Sequence, residues 1–358
     1  MGDGVEDLTA VTLGERQIGP DRPTFVIAEL SANHGGSLSR AQELVHAAAE
    51  AGADAVKLQT YTPDTMTLDC DQPWFSVGPG TLWSGRQLYE LYAEAQTPWE
   101  WHAPLFELAV SLGLEPLSAP FDRGAVDNLV GLGVRALKVA SFELVDTGLL
   151  EHAASTKLPI LLSTGMATLQ EIDRAVATLR EAGCTELVLL RCNSAYPASA
   201  REMDLRTIPH MAATWSAPVG LSDHTLGHTA ATAAVALGAC VVEKHLTGSR
   251  AVPTADSAFS LEPAEFADLV GAIREAEAAL GTVRYGPSAS EAASLHFRRS
   301  LFFLRDLPAG ELVDAAAIGS RRPNVGLSPR HEPDVIGRRV TRPVRRGDPV
   351  AWDVLSPG

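Results

Sequence analysis

The first 280 residues repeat one arrangement of apolar and polar positions: an alanine-rich helical pattern, a glycine, and then a short apolar run. The copies read AGADAVKLQ, SLGLEPLS, LGVRALKVA, AGCTELVLLRC and LGACVVEKH. A glycine just after a helix end adopts the left-handed conformation at little cost, and an apolar run of about four to six residues is typical of a strand buried on both faces. Each copy therefore predicts a helix, its C-terminal cap and a buried parallel strand.

Eight such strands are predicted. Their starts lie near Thr24, Ala55, Glu115, Ala136, Ile160, Leu187, Val219 and Val241. Eight alternating strand and helix units are typical of a (β/α)8 barrel, whereas a doubly wound sheet usually stops at about five to seven strands. We therefore predict an α/β fold in which a TIM barrel occupies residues 1–281, with a loop insertion from Thr60 to Pro98 after the second strand.

Three further segments complete the predicted organisation. Residues Leu8 to Ile18 mix apolar and polar positions around Leu13-Gly14-Glu15, which indicates a small hairpin able to plug the barrel floor. Residues 282–296 are rich in Gly, Ser and Ala, as in a linker. Residues 297–358 have many turn signals and short apolar pieces, which predict a small β-rich domain.

The charge balance narrows the class of protein. The chain has 29 basic and 44 acidic residues, a net charge of -15, which argues against general binding of nucleic acid or anionic membranes. Residues 297–358 hold 11 arginines and seven acidic residues, a net charge of +4 against −19 for the remainder. This asymmetry suggests that the C-terminal domain docks, either within the chain or across a dimer.

Localisation follows from the apolar pattern and the cysteines. No stretch approaches the roughly 18 consecutive apolar residues of a membrane span, and the acidic N-terminus is unlike a signal peptide, so we expect a cytoplasmic protein without membrane contact. Cys70, Cys184, Cys192 and Cys240 form no CxxC pair and are expected to be core thiols.

Every predicted strand ends in polar side chains, and the C-terminal strand ends of a TIM barrel carry its catalytic groups. In strand order they are Glu29, Asn33 and His34; Lys57 and Gln59; Ser118; Lys138, Ser141 and Glu143; Ser163 and Thr164; Asn193, Ser194 and Tyr196; Ser222, Asp223 and His224; and Glu243, Lys244 and His245. Any one of them could be a locally satisfied loop group. Their occurrence at all eight ends predicts an active site.

Lysine is rare in this chain, with four residues against 25 arginines. Lys57 and Lys138 fall at strand ends, where an ammonium group binds phosphate or carboxylate, or forms a Schiff base. The alternative is an ion pair with a carboxylate such as Glu29 or Glu143. For Lys244, which alternation turns to the other face of its strand, the ion pair is favoured.

Two histidines follow neighbouring strands. The imidazoles of His224 and His245 can chelate a divalent metal and leave positions open for water or a substrate oxygen. Two ligands are fewer than the three usual for zinc, so Mn²⁺ or Mg²⁺ is the expected ion. The alternative is that both histidines bond to loop carbonyls.

Several of these segments together resemble the sialic acid synthase family, in order and over almost the whole chain: FVIAELSANHGGS, AGADAVKLQTYTPDTMTLD, KVASFELVD, LLSTGMAT, GLSDHT and EKHLT. The insertion GTLWSGRQLYELYAEAQTPWEWHAPLFELA, with CNSAYP and DSAFSLEP, is more similar to the pseudaminic acid synthase branch than to the N-acetylneuraminate branch. RRSLFFLRDLPAGE and RRPNVGLSP resemble the family's antifreeze-like (SAF) domain.

The resemblance implies that phosphoenolpyruvate condenses with an open-chain acetamido hexose to give a nine-carbon 2-keto sugar acid and phosphate. It assigns phosphoenolpyruvate to Lys57, Ser118, Lys138, Ser141, Ser194 and Ser222, and the metal to His224 and His245. It places Glu29, Gln59, Tyr196 and Asp256 around the sugar, with Glu143, Glu243 and Asn193 lining the site, the last in place of the family's usual Thr. Arg322 would reach in from the SAF domain of the other subunit of a domain-swapped homodimer.

The implied mechanism begins with attack of the enol carbon on the aldehyde, with water captured at C2 before phosphate leaves. Glu29 is the candidate for moving a proton on the aldehyde side or orienting the metal-bound water. The implied sugar is a 2,4-diacetamido-2,4,6-trideoxyhexose, with N-acetylneuraminate or legionaminic acid synthesis as alternatives. Two further alternatives remain open, a Schiff-base aldolase and a catalytically inactive sugar-binding protein.

Overall fold

The barrel predicted from the repeating pattern is present. The computed structural model describes residues 10–357. The strands are β1 (Val11–Leu13), β2 (Arg16–Ile18), β3 (Phe25–Glu29), β4 (Ala55–Thr60), β5 (Glu115–Pro120), β6 (Leu137–Val139), β7 (Ile160–Ser163), β8 (Leu187–Cys192), β9 (Val219–Asp223) and β10 (Val241–His245). Strands β3 to β10 are parallel in the order β5-β4-β3-β10-β9-β8-β7-β6. The end members, β5 and β6, lie side by side and complete the ring.

Helices alternate with these strands. They are α1 (Leu38–Glu50), α2 (Pro63–Met66), α3 (Leu88–Ala95), α4 (His102–Ser111), α5 (Arg123–Gly131), α6 (Thr147–Ser155), α7 (Leu169–Glu181), α8 (Thr207–Trp215), α9 (Thr229–Ala236) and α10 (Pro263–Leu280). The glycines of the repeated phrase have positive φ, for example 83° at Gly52 and 97° at Gly183. The helix, cap and strand reading of the phrase is therefore confirmed. The predicted insertion contains α2 and α3.

Strand alternation separates two apolar layers. Val26, Val56 and Val242 face the surrounding helices, whereas Ile27, Ala55 and Val241 point into the barrel. The predicted hairpin is formed by β1 and β2, and its Val11, Leu13 and Ile18 belong to the inner layer. The hairpin therefore plugs the end of the barrel at which the strands begin. Leu8 and Thr9, included in that prediction, lie outside the described residues.

The chain divides into two compact units after Gly281. The second contains β11 (Ser300–Phe303) and β12 (Ile318–Arg321), which pair antiparallel, and a short helix α11 (Glu332–Val335). Single bridges such as Leu307 to Val344 join its other segments around an apolar core. No helix within residues 10–357 has the length and apolar character needed to cross a bilayer.

Candidate active site

Two lysines and two carboxylates meet inside the barrel at the C-terminal ends of the strands. Lys57 Nζ contacts Glu29 Oε2 and lies 3.6 Å from Glu243 Oε1, which is 3.5 Å from Lys138 Nζ. Ser222 Oγ donates to the same Glu243 oxygen at 3.1 Å. All four charged residues are at most 3% exposed. The alternative predicted for Lys57, an ion pair with Glu29, is therefore present, and it forms part of a cluster that also includes Glu243 and Lys138.

Strand alternation brings these groups together. Lys57 lies two residues beyond Ala55, and Glu243 two residues beyond Val241, so both follow inner-layer positions. Lys244 takes the opposite face, where its Nζ lies 2.6 Å from Asp223 Oδ2, and both side chains are fully buried. The ion pair favoured for Lys244 is confirmed.

Burial shapes the charge of the cluster. It raises the pKa of Glu29 to about 7 in spite of the nearby Lys57 ammonium. Burial also disfavours ionisation of Glu243, but Lys138 and Lys57 outweigh it and lower the pKa of Glu243. Burial lowers the pKa of Lys138. When Glu29 takes up a proton and its ion pair with Lys57 is neutralised, two ammonium groups face the one carboxylate of Glu243, and the net positive charge favours an anionic ligand.

Glu29 also belongs to a second set of polar contacts on one side of the mouth. Its Oε1 accepts from the Ser31 backbone N–H at 2.8 Å. The Ser31 hydroxyl bonds to the Asp256 carboxylate and accepts from Gln59 Nε2 at 3.0 Å. Burial raises the pKa of Asp256. The predicted sugar residues Glu29, Gln59 and Asp256 are thus linked through Ser31.

The two histidines lie within one aromatic cluster. Their ring centroids are 5.3 Å apart, the Tyr196 ring is 4.4 Å from that of His224, and Phe259 is 4.9 Å from His245. Although burial raises the pKa of the Cys192 thiol, the charge of His224 and hydrogen bonds from its neighbours lower it to about 7. The thiol sulfur lies 3.8 Å from His224 Nδ1.

The histidines have free donor atoms for a metal ion. His224 Nδ1 bonds the Asn193 carbonyl at 2.8 Å, which is the carbonyl alternative, so Nε2 is the atom of the neutral ring that could bind an ion. Burial disfavours the charged ring, but Cys192 and the Asn193 carbonyl outweigh it and raise the pKa of His224, so an ion would have to displace a proton from Nε2. His245 Nδ1 is buried without a hydrogen-bond partner among the described residues. Burial and nearby cations hold the pKa of His245 well below its usual range, so the ring is neutral. Over residues 10–357 no three His, Cys, Asp or Glu side chains are arranged to hold an ion, so a metal would rest on these two imidazoles.

A hydroxyl-rich corner lies beside the cluster, where the loops after β6, β7 and β8 meet. The Gly165 N–H donates to Ser141 Oγ at 3.1 Å, and Ser194 Oγ lies 3.6 Å from the Cys192 sulfur. Ser163 Oγ is buried without a partner in the described chain. Hydroxyl and backbone N–H groups of this kind bind anionic oxygen atoms.

Glu143 is a half-buried acid at the edge of the same mouth, with its Oε2 atom itself buried. Burial raises the pKa of Glu143 to about 7. Its Oε2 has no hydrogen-bond partner among residues 10–357. The group is therefore available to a substrate hydroxyl or amide.

Some predicted site residues are directed elsewhere. Ser118 Oγ bonds Thr60 Oγ1 at 2.7 Å, and Thr60 bonds His102 of α4 at 2.7 Å, so this hydroxyl lies on the helix-facing side of its strand. The Asn193 amide is used within its own loop, by the Glu202 carbonyl and the Ala195 N–H. Neither side chain joins the lysine cluster.

Others serve the loops or lie outside the barrel. Asn33 bonds the Leu246 carbonyl and Ser260, and His34 bonds Thr97 at 3.2 Å. Thr164 Oγ1 donates to the Leu190 carbonyl at 3.0 Å. Arg322 belongs to the second unit, where it is exposed.

The loop insertion covers part of the mouth. Trp83 Nε1 donates to the Ala255 carbonyl at 3.0 Å, and its ring centroid is 5.7 Å from that of Tyr196. A cavity of about 490 Å³ remains beside Met166 and Ser194. A larger cavity, about 940 Å³, opens near Gly19, Cys240 and Glu277. It contains none of the lysine, carboxylate or histidine side chains described above and is therefore separate from the candidate active site.

Sequence reasoning missed four residues. Ser31 directly follows the β3 end, and its φ of 38°, unusual for a residue with a side chain, marks a strained position at the site. Cys192 is buried, as predicted for a core thiol, and its sulfur also contacts His224 of the site. Cys70 is only half-buried, so the prediction of a core thiol is wrong for that residue. Trp83 and Thr60 carried no signal beyond lying in the insertion and at a strand end.

Known proteins match this chain along most of its length. Residues 44–285 match the NeuB family, and residues 298–356 match the SAF domain. Pseudaminic acid synthase of Helicobacter pylori is 41% identical to this chain, over 94% of this chain's length and 98% of its own length. N,N'-diacetyllegionaminic acid synthase of Legionella pneumophila is 38% identical over 96% of this chain and 98% of its own.

A solved structure has the same fold. The N-acetylneuraminic acid (sialic acid) synthetase of Leptospira borgpetersenii, in complex with citrate, superposes with a TM-score of 0.72. It is 31% identical, and the match covers 81% of this chain and 96% of that one.

Proposed function

The chain belongs to the NeuB family, and from that premise we propose that it condenses phosphoenolpyruvate with an open-chain acetamido hexose. The product is a nine-carbon nonulosonic acid, with release of phosphate. The observation that carries the proposal is the buried cluster in which Lys57 and Lys138 face Glu243 at the strand ends. Among acetamido hexoses we favour a 2,4-diacetamido-2,4,6-trideoxyhexose, because a pseudaminic acid synthase is among the most similar relatives.

The reaction forms one carbon–carbon bond. C3 of phosphoenolpyruvate attacks the sugar aldehyde, water adds to the cationic C2, and the resulting intermediate loses phosphate by cleavage of its C2–O bond. Lys57 and Lys138 hold the anionic substrate, and their charge stabilises the phosphate as it leaves. Ser141 and Ser194 donate to its oxygen atoms, and Ser222 joins them when its hydroxyl turns from Glu243 to the ligand.

Glu29 handles the proton on the aldehyde side. Its pKa of about 7 lets it give a proton to the developing alkoxide near neutral pH. Gln59 and Asp256, joined to it through Ser31, orient the sugar.

We propose Mn²⁺ or Mg²⁺ as the cofactor, held by His224 and His245. Such an ion supplies Lewis-acid polarisation of the aldehyde oxygen. The neutral ring of His245 and its unpartnered Nδ1 support this assignment.

The SAF domain completes the sugar site of a second subunit in this proposal. Large apolar side chains are exposed on five loops around the mouth: Leu68, Trp74, Phe142, Met166, Leu226 and Val252. Exposed apolar surface of this kind is typical of interaction sites, and the +4 charge of the C-terminal domain complements the acidic remainder. Arg322 of the partner would bond a carbonyl or hydroxyl of the sugar.

Phosphate release and product mass test the reaction. Purified protein is incubated with phosphoenolpyruvate, Mn²⁺ and either N-acetylmannosamine or the 2,4-diacetamido-2,4,6-trideoxyhexoses. For the dimer, Arg322→Ala protein is mixed with His245→Ala protein. Partial recovery of activity is expected, because one mixed site then holds both intact parts. Absence of recovery after demonstrated subunit exchange contradicts the shared site.

A Schiff-base aldolase is the second candidate, since burial lowers the pKa of Lys138 and so favours a nucleophilic amine. Borohydride reduction in the presence of pyruvate separates the two. An adduct on Lys138 supports the aldolase, and complete inhibition by EDTA supports the synthase.

A further inference from the structure

Trp83 closes the sugar side of the mouth, and we propose that its indole selects acetamido hexoses that carry a methyl group, rather than a hydroxymethyl group, at C6. The inference rests on the proposed function and deepens it by assigning a residue to sugar specificity. Trp83 belongs to the insertion between β4 and α4, which the strand-end pattern did not include.

The position of the indole is fixed from two sides. Its Nε1 donates to the carbonyl of Ala255, the residue before Asp256, at 3.0 Å. Its ring lies 5.7 Å from Tyr196 at an interplanar angle of 57°, and Tyr196 lies 5.0 Å from Phe259. Trp83 therefore joins the loops after β8 and β10, which carry the proposed sugar residues.

The chemistry of this wall is apolar. An indole has one hydrogen-bond donor and no acceptor, and the Ala255 carbonyl takes that donor. The indole of Trp83 and, apart from its hydroxyl, the ring of Tyr196 thus present carbon surface, while Phe259, only 1% exposed, packs against Tyr196. A methyl group packs against such a surface, whereas a hydroxyl brought there loses its water partners without replacement.

The size of the effect has an upper bound. Apolar pockets reject a ligand that merely adds a hydroxyl by about a hundredfold at most. We therefore expect wild-type protein to prefer the trideoxyhexose over the otherwise identical 2,4-diacetamido-2,4-dideoxyhexose, which carries a hydroxyl at C6, by roughly tenfold to a hundredfold in kcat/KM. A large part of that ratio should depend on Trp83.

Steady-state kinetics with both sugars test this. Trp83→Ala should lower kcat/KM for the trideoxyhexose by about tenfold or more, change that for the 2,4-diacetamido-2,4-dideoxyhexose less than threefold, and leave the KM for phosphoenolpyruvate within twofold. Trp83→Phe should keep most of the selectivity, because it keeps an apolar ring. Leu82→Ala is the matched control, since Leu82 directly precedes Trp83 in the same insertion and is 50% exposed.

Equal losses for both sugars, or a raised KM for phosphoenolpyruvate, would show that Trp83 closes the mouth without selecting, and would overturn the inference. An unchanged ratio of the two kcat/KM values in Trp83→Ala would overturn it as well. If wild-type protein forms no product with any sugar, the proposed function fails by itself. Calorimetric titration with each sugar alone then decides the inference: preferential binding of the trideoxyhexose that Trp83→Ala abolishes supports it, and equal binding refutes it.

Discussion

Replacing Gly165 by alanine fills the hydroxyl-rich corner with one methyl group. The added Cβ would lie 2.2 Å from Ser194 Oγ and 2.8 Å from Ser141 Oγ, both closer than real Cβ contacts occur. It would also lie 3.2 Å from Ser141 Cβ, which must shift by a few tenths of an ångström. Both hydroxyls must therefore turn away from their present positions.

The expected cost to phosphoenolpyruvate binding is at least as large as the cost to folding. Hydroxyls at a loop corner reorient at small cost, and overpacking by one methyl costs about 1–3 kcal/mol of stability. A hydrogen bond to a charged group is worth about 1.5–3 kcal/mol, or roughly tenfold to a hundredfold in affinity. Loss of one or both bonds should raise the KM for phosphoenolpyruvate at least tenfold, with a smaller effect on the KM for the sugar.

Phosphate release at varied phosphoenolpyruvate measures this, with a thermal unfolding curve for each protein. Gly78→Ala is the control, because its Cβ would meet no atom within 4 Å. Ser194→Ala removes one hydroxyl without adding volume, and should give part of the effect. A normal KM for phosphoenolpyruvate in Gly165→Ala, measured on folded protein, would refute the assignment of this corner to the anionic substrate.

Three other results are expected. His224→Ala or His245→Ala should abolish metal-dependent turnover while the melting temperature stays within a few degrees, because both side chains lie above the apolar core; a near-normal rate would contradict the metal assignment. Lys57→Met should raise the KM for phosphoenolpyruvate by about tenfold to a hundredfold, since a lost ammonium leaves substrate charge unpaired; an unchanged KM would remove that lysine from the site. Burial raises the pKa of Glu143 from 4.5 to about 7, so Glu143 binds its proton more tightly in the folded protein than in the unfolded chain. The protonated form therefore contributes up to about 3 kcal/mol to the free energy of unfolding at low pH, and this contribution is lost as the pH rises from 4.5 through 7. Denaturant unfolding at pH 5 and pH 8 should therefore show a smaller pH difference for Glu143→Gln than for wild type, and equal differences would count against a proton-binding Glu143.

The barrel and the central cluster could be predicted because both depend on local periodicity. A glycine cap sets where each strand begins, and alternation within about five residues decides which side chains point inwards. The same rule separated Lys244, paired with Asp223 on the helix side, from Lys57 in the mouth.

Alternation also explains one error of placement. Ser118 follows Leu117, an inner-layer residue, so its hydroxyl turns towards α4 and bonds Thr60. The family resemblance assigned Ser118 to phosphoenolpyruvate by position in the motif, which does not include side-chain direction. For Asn193 the difference arises from loop geometry, since its amide satisfies two backbone groups nearby.

Trp83 and Ser31 could not be found in this way, because their partners are distant in sequence. Trp83 reaches Ala255 across 172 positions, and Ser31 reaches Asp256 across 225. Such contacts exist only after the ring of strands has brought the first and last loops together, as the pairing of β3 with β10 does. Each strand therefore sets the direction of its own cluster side chain, whereas the meeting of Lys57 with Glu243, like the contacts of the sugar side, depends on closure of the barrel.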